Sequence, residues 1–199
     1  MDMEWFSQVK RHERAQPTVL FVGTFRWLPN LEAVKILVEQ IWPSVVKTIP
    51  DARLSIVGAA PTKEVLAYVE TNPSITVSGN IPDIRTAFTS AHILAAPVWS
   101  GKGTRYKVLE ALAAGTPVVA TTTAVEDLAI TNGKEAMIVD DPQEFAQTLI
   151  ALLRDSQLRD QLRANGRTFV QHKFDWNLIA GKLDRIYRQI GRSQYDKKN

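Results

Sequence analysis

Short apolar runs closed by glycine, proline or threonine recur along this chain, and segments with helical periodicity separate them. TVLFVG ends at Gly23, RLSIVG (53–58) at Gly58, ITVSG (75–79) at Gly79, AHILAAP (91–97) at Pro97 and PVVAT (117–121) at Thr121, with AMIV (136–139) as a shorter sixth. Runs this apolar are strands covered on both faces, and strands alternating with helices make a parallel sheet wrapped by helices. The expected fold is therefore α/β: a Rossmann-like parallel sheet of about six strands with helices on both faces and further helices at the C-terminus. Ligands of such folds sit outside the carboxyl ends of the strands.

The intervening segments read as helices. One begins at Pro29-Asn30, carries Leu31, Val34, Ile36, Leu37, Val38 and Ile41 on a broad face, and is expected to end at Pro43. Others cover Pro61 to Glu70, Asp83 to Thr89 and Thr104 to Ala114, the last stopped by Gly115. Asp141-Pro142-Gln143-Glu144 combines a capping aspartate, proline in the first turn and glutamate three residues after the cap. It opens three helices over 142–154, 156–171 and 176–190. Residues 1–16 read as a linker or residual helix, 17–190 as the domain, and 191–199 as a polar tail.

Composition removes several function classes. With 45% hydrophobic and 23% charged residues, a globular chain is the default. No apolar run is long enough to span a bilayer, and the charged start does not resemble a signal peptide. A cytoplasmic setting is the expectation. Cysteine is absent, which excludes disulfides and thiolate chemistry, and His12, His92 and His172 are scattered. His92 reads as a structural histidine. The net charge of +3 does not by itself point to nucleic acid, and no nucleic-acid partner is expected. Cations gather at both ends, notably Lys182, Arg185 and Arg188 opposite an Ile179, Leu183, Ile186, Tyr187 and Ile190 stripe. Solvated helix faces and peripheral contact with an anionic membrane both fit that pattern.

The most informative stretch is PVWSGKGTRYKVLEALAAGTPVVAT (97–121): strand end, glycine-rich loop, helix, strand. Gly101 and Gly103 let backbone approach a ligand closely. The helix start offers unpaired N–H groups, and the dipole there favours acids. This chain instead places Lys102, Arg105 and Lys107 there. Such crowding is unfavourable unless an anion sits among the cations, which points to a phosphate or diphosphate ligand. The alternative is that the side chains splay into solvent, at a few tenths of a kcal/mol each. Glu110 lies three residues after Lys107, where an ion pair and a contact to ribose hydroxyls fit equally well. Glu126-Asp127 follows the fifth strand, where a capped helix start and a sugar contact both fit. The turn after the first strand lacks G-x-G-x-x-G, which disfavours a dinucleotide dehydrogenase.

The stretch resembles the C-terminal domain of family 4 glycosyltransferases of GT-B fold, especially a branch with G-x-G-T-R-x-K-x-L-E-A-x-A-x-G-x-P-V-V-A-T. The likeness extends over nearly all of 17–190, including LFVGTF, PN, IVG, SGNIPD and DDPQEFA. It implies a retaining glycosyltransferase of hexosyltransferase type that uses a nucleotide-diphosphate sugar in glycan or polysaccharide synthesis. This chain would be its donor half, inactive by itself without an N-terminal acceptor domain as partner. The resemblance places Gly23, Thr24 and Arg26 beside the diphosphate and Asn80, Pro82 and Asp83 around the base. It gives Gly103 and Thr104 the role of phosphate N–H donors, Arg105 and Lys107 that of catalytic cations, and Glu110 that of ribose ligand. Most members carry a further glutamate where this chain has Lys102, so the sugar contacts differ here. No cofactor and no metal are expected, since there is no Asp-x-Asp motif. A non-catalytic nucleotide-binding module and a sugar-nucleotide epimerase of related fold are the rival readings. The first would have no need of Arg105, Lys107 and Glu110 together, and the second would want further acid/base side chains.

Overall fold

The computed structural model describes residues 1–101, 103 and 105–195, with side chains described through residue 190. Lys102, Thr104 and residues 196–199 of the expected polar tail lie outside the described residues. Six strands form one parallel sheet in the order β3-β2-β1-β4-β5-β6. They are β1 (Thr18–Val22), β2 (Arg53–Val57), β3 (Ile75–Ser78), β4 (Ile93–Ala96), β5 (Val118–Ala120) and β6 (Met137–Ile138). Val22 pairs with Val57 and Val57 with Ser78, so the first three strands end level with one another. The order reverses between β1 and β4, and that crevice is the natural ligand position in a doubly wound sheet.

Helices cover both faces. On one side lie α2 (Leu28–Ile36), α3 (Trp42–Thr48) and α7 (Pro142–Arg154); on the other α5 (Ile84–Ser90), α6 (Tyr106–Ala113) and α8 (Ser156–Phe174). Helix α4 (Lys63–Thr71) packs beside the edge strand β3. Helix α9 (Trp176–Tyr195) follows α8, touches it and runs five residues past its expected end. Among the described residues no helix is long and apolar enough to cross a membrane.

Two features depart from expectation. Pro43 does not end the first long helix. A π turn over Leu37–Ile41 joins α2 to α3, and Trp42 N–H donates to the Leu37 carbonyl. In a regular α-helix the proline ring would collide with a carbonyl four residues back, and the widened turn makes room. Trp42 is thereby held fully buried, its indole N–H 2.8 Å from Ser74 Oγ.

The second departure is that the N-terminal segment, read as a linker or residual helix, does hold a short helix but is packed on the domain. Helix α1 (Met3–Ser7) is capped by Asp2 and sets Met3 and Phe6 in the core. Further along, Glu13 accepts from Arg11 at 2.8 Å and from Arg163 of α8 at 2.6 Å. His92 stands beside it, Nε2 at 3.6 Å, while His92 Nδ1 accepts the Thr18 backbone N–H. His92 is thus the structural histidine expected, and burial lowers its pKa. The neighbouring guanidinium groups hold the Glu13 carboxyl below its usual range although burial pushes the other way. A depressed carboxylate pKa stabilises the fold at neutral pH and loses that contribution as the pH falls through the folded-state value. Glu13→Gln is expected to cost about 1–2 kcal/mol at pH 7 in urea unfolding. The gap to the parent chain should narrow in acid.

Candidate functional site

The carboxyl ends of β1 and β2 interlock. Gly23 N–H donates to Val57 O and Gly58 N–H to Ser78 O, each at 3.0 Å. A Cβ on Gly58 would lie 1.6 Å from the Gly23 carbonyl oxygen, and one on Gly23 would lie 2.7 Å from the Asn30 side chain. The exposed turn Thr24 and Arg26 then leads into α2. Asn30, in the first turn of α2, is only 2% exposed. Its Nδ2 donates to the Thr24 carbonyl at 2.8 Å.

Lys107 crosses to the same point from the first turn of α6. Its ammonium donates to Asn30 Oδ1 at 2.7 Å and lies 4.8 Å from the centre of the Phe21 ring. That places a cation over the face of an aromatic side chain of β1, at the crevice between β1 and β4. Lys107 therefore does not splay into solvent. Burial pushes its pKa down to about 8; Arg105 adds to the shift and Glu110 opposes it. Glu110 is half-buried, and burial raises its pKa, with Lys107 acting the other way. The i,i+3 ion pair does not form, because the ammonium turns to Asn30.

Arg105 also turns inward. It is 8% exposed, and its guanidinium donates to the Gly101 carbonyl at 3.3 Å and to Glu126 at 3.1 Å. Arg105 stands at the N-cap position with ψ 46°, so the helix begins at Tyr106 and not at Thr104 as expected. The Arg105 side chain does not cap this start. The loop before it needs its glycines: Gly101 and Gly103 have φ of 94° and 132°, and a Cβ on Gly101 would press within 2.7 Å of the Trp27 ring. Gly103 is exposed; Lys102 and Thr104, expected beside it at the phosphates, are outside the described residues. Glu126 starts no helix. It ends a 3-10 turn (Thr123–Val125), and its carboxylate goes to Arg105.

Asn80, Pro82 and Asp83 follow β3, two strands from this cluster. Asn80 and Pro82 are exposed. Pro82 and Ile81 line a cavity of about 490 Å³ with Ser55, Ser78 and Thr86. The Asp83 side chain is occupied locally: it caps α5 through Arg85 N–H at 2.9 Å and holds the Arg85 guanidinium at 2.7 Å. Arg85 in turn lies 4.1 Å over the Trp5 ring and donates to the Trp5 carbonyl at 2.6 Å. Among the described residues no group of three or more His, Cys, Asp or Glu side chains is placed to hold a metal ion.

Asn30 is the member of the cluster that sequence reasoning passed over. A signal existed. The spacing 30, 34, 37, 41 puts it on the core-facing stripe of α2, where one polar residue among apolar ones demands a partner.

Known proteins share this fold. The family model for glycosyl transferases group 1 matches residues 16–155. A phosphatidyl-myo-inositol mannosyltransferase of Mycobacterium leprae is 29% identical over 94% of this chain and 50% of its own length. The chain thus spans about half the length of the curated relatives it matches. Among solved structures, the C-terminal domain of a group 1 family glycosyl transferase from Francisella tularensis superposes with a TM-score of 0.70 at 21% identity. That match covers 88% of this chain and 99% of that one. The Anabaena protein HepE, solved with UDP and glucose, gives 0.70 at 17% identity over 87% of this chain and 48% of its own. The family match takes in well over half of the residues, and the chain belongs to the glycosyl transferases group 1 family.

Proposed function

We propose that this chain is the donor-binding half of a retaining glycosyltransferase, in the branch with G-x-G-T-R-x-K-x-L-E, and that the diphosphate of a nucleotide sugar docks between Lys107, Arg105 and the start of α6. One observation carries the reading: the Lys107 ammonium is partly buried at the topological switch point against a neutral amide, an arrangement that is costly until an anion arrives. Solved relatives with UDP bound support the ligand class. When the bond from the anomeric carbon to the diphosphate breaks, charge grows on the leaving oxygens. Lys107, Arg105 and the helix N–H groups would stabilise it more than in the ground state. No metal is required in this scheme. Glu110, in the second turn of α6, would take the ribose, and the loop over Asn80, Pro82 and Asp83 the base. The reaction is placed in the cytoplasm.

The other half of the molecule would bind the acceptor. Helix α9 supports that division, since Leu183, Ile186, Tyr187 and Ile190 are each about half exposed or more. Lys182, Arg185 and Arg188 stand across the helix from that stripe. A basic face opposite an apolar one also suits a helix lying on an anionic membrane, so peripheral membrane contact is the second reading of α9.

A melting-temperature screen against UDP-, GDP- and ADP-sugars tests the reading. The matching nucleotide at a hundredfold excess over Kd should raise Tm by roughly 5 °C or more, and NAD should not. Absence of a shift with all three would overturn the proposal.

A further inference from the structure

The Asn30 amide joins three pieces of the cleft that lie far apart in sequence. Its oxygen accepts from the Lys107 ammonium of α6, its nitrogen donates to the Thr24 carbonyl of the turn after β1, and its own backbone belongs to α2. The orientation of the amide is fixed by its partners. An ammonium only donates and a carbonyl only accepts, so the reversed amide would face a donor with a donor. Gly23 completes the lock, because any side chain there would press into Asn30 at 2.7 Å.

The choice of an amide is itself informative. Among the described residues no carboxylate lies within 4.0 Å of the Lys107 nitrogen. Aspartate at position 30 would orient the lysine equally well but would cancel its charge. Asparagine orients without neutralising and leaves the full positive field for a ligand. The other groups facing the ammonium are the Phe21 ring, the Arg105 cation and, more weakly, Glu110.

We propose that Asn30 is a positioning residue, which holds the Lys107 ammonium and the Thr24 turn as one preformed cradle for the donor diphosphate. This rests on the donor-binding reading above. A preorganised cation spends none of the ligand's binding energy on ordering the site.

Two variants of the chain, N30A and N30D, separate this role from a merely structural one. Two readouts are needed: titration of the Lys107 side chain by NMR on lysine-labelled protein, and calorimetric affinity for UDP, GDP, ADP and inorganic pyrophosphate. N30A removes the acceptor, so Lys107 should lose its proton at lower pH than in the parent chain. The affinity for the diphosphate probe should fall about tenfold or more. N30D supplies a carboxylate, so Lys107 should hold its proton to higher pH while affinity falls at least as far. Opposite titration shifts with a common loss of affinity are the signature. A packing role would lower the melting temperature of both and leave affinity unchanged. N30D keeps the size of the side chain, so it decides the matter if N30A does not fold. If the parent chain binds none of the probes, the donor-binding reading falls and this role with it. If the parent binds and either folded variant binds equally well, only the role of Asn30 is overturned.

Discussion

Replacing Lys107 by methionine is expected to stabilise the ligand-free domain and, at the same time, to remove most of its affinity for a nucleoside diphosphate. The two effects share one cause. Inside the crevice Lys107 titrates near 8, against an ordinary value of 10.5. Below pH 8 both the folded and unfolded chains carry the proton, and the fold bears the penalty of a desolvated cation repelled by Arg105, about 3 kcal/mol in all. Between about 8 and 10.5 the unfolded chain holds the proton and the folded chain does not, so stability rises with pH. Above that range neither state is charged and the penalty is gone. Methionine keeps the apolar stem and removes the ammonium. K107M should therefore melt higher than the parent at pH 7, with the difference closing by about pH 10.5. Diphosphate affinity should drop about a hundredfold, and that of the parent chain should weaken as the pH rises above 8. Paired calorimetry at pH 7 and 10 checks both. A variant that melts lower at pH 7, or that binds UDP or GDP as tightly as the parent, would contradict the account.

The largest loss of stability should come from Gly58→Ala. The new Cβ would sit 1.6 Å from the Gly23 carbonyl oxygen and 3.2 Å from the Phe25 ring. The backbone cannot yield easily, because Gly23 and Gly58 each donate to the neighbouring strand at 3.0 Å. Separating those strand ends should cost about 3 kcal/mol or more in urea unfolding, a large part of a domain's total stability. Gly79→Ala is the control: it ends β3 in the same way, but a Cβ there meets nothing within 4 Å. Its cost should be about 0.5 kcal/mol or less. Equal effects at the two positions would mean that the strand ends are not packed as described.

The sheet was legible because most of its strands are short buried apolar runs closed by glycine, proline or threonine; β3 departs from this, with Thr76 exposed. A capping pattern marked Asp141 and the helix it opens, and the structure uses it. What stayed hidden depends on partners distant in sequence. The crowding of Lys102, Arg105 and Lys107 at one helix start was visible, but the destinations of Arg105 and Lys107 were not. Glu126 lies 21 residues from Arg105, and Asn30 lies 77 from Lys107. The same holds for Glu13, whose bond to Arg163 spans 150 residues and ties a segment that reads as a linker or residual helix to the last third of the domain. Pro43 misled for a local reason: a π turn is a rare answer to a proline, and periodicity alone does not announce it.

Arg85 gives the first helix an influence beyond packing. Its guanidinium is shared between Asp83, at the loop proposed to flank the base, and Trp5. Trimming the polypeptide to begin at Pro17, as its polarity pattern invites, would strip that arginine of its indole platform and open the hydrophobic interior where Met3 and Phe6 now sit. A preparation shortened in that way would present a slackened nucleobase loop, and a weak ligand response from it would reflect the missing sixteen residues and not the chemistry of the cleft.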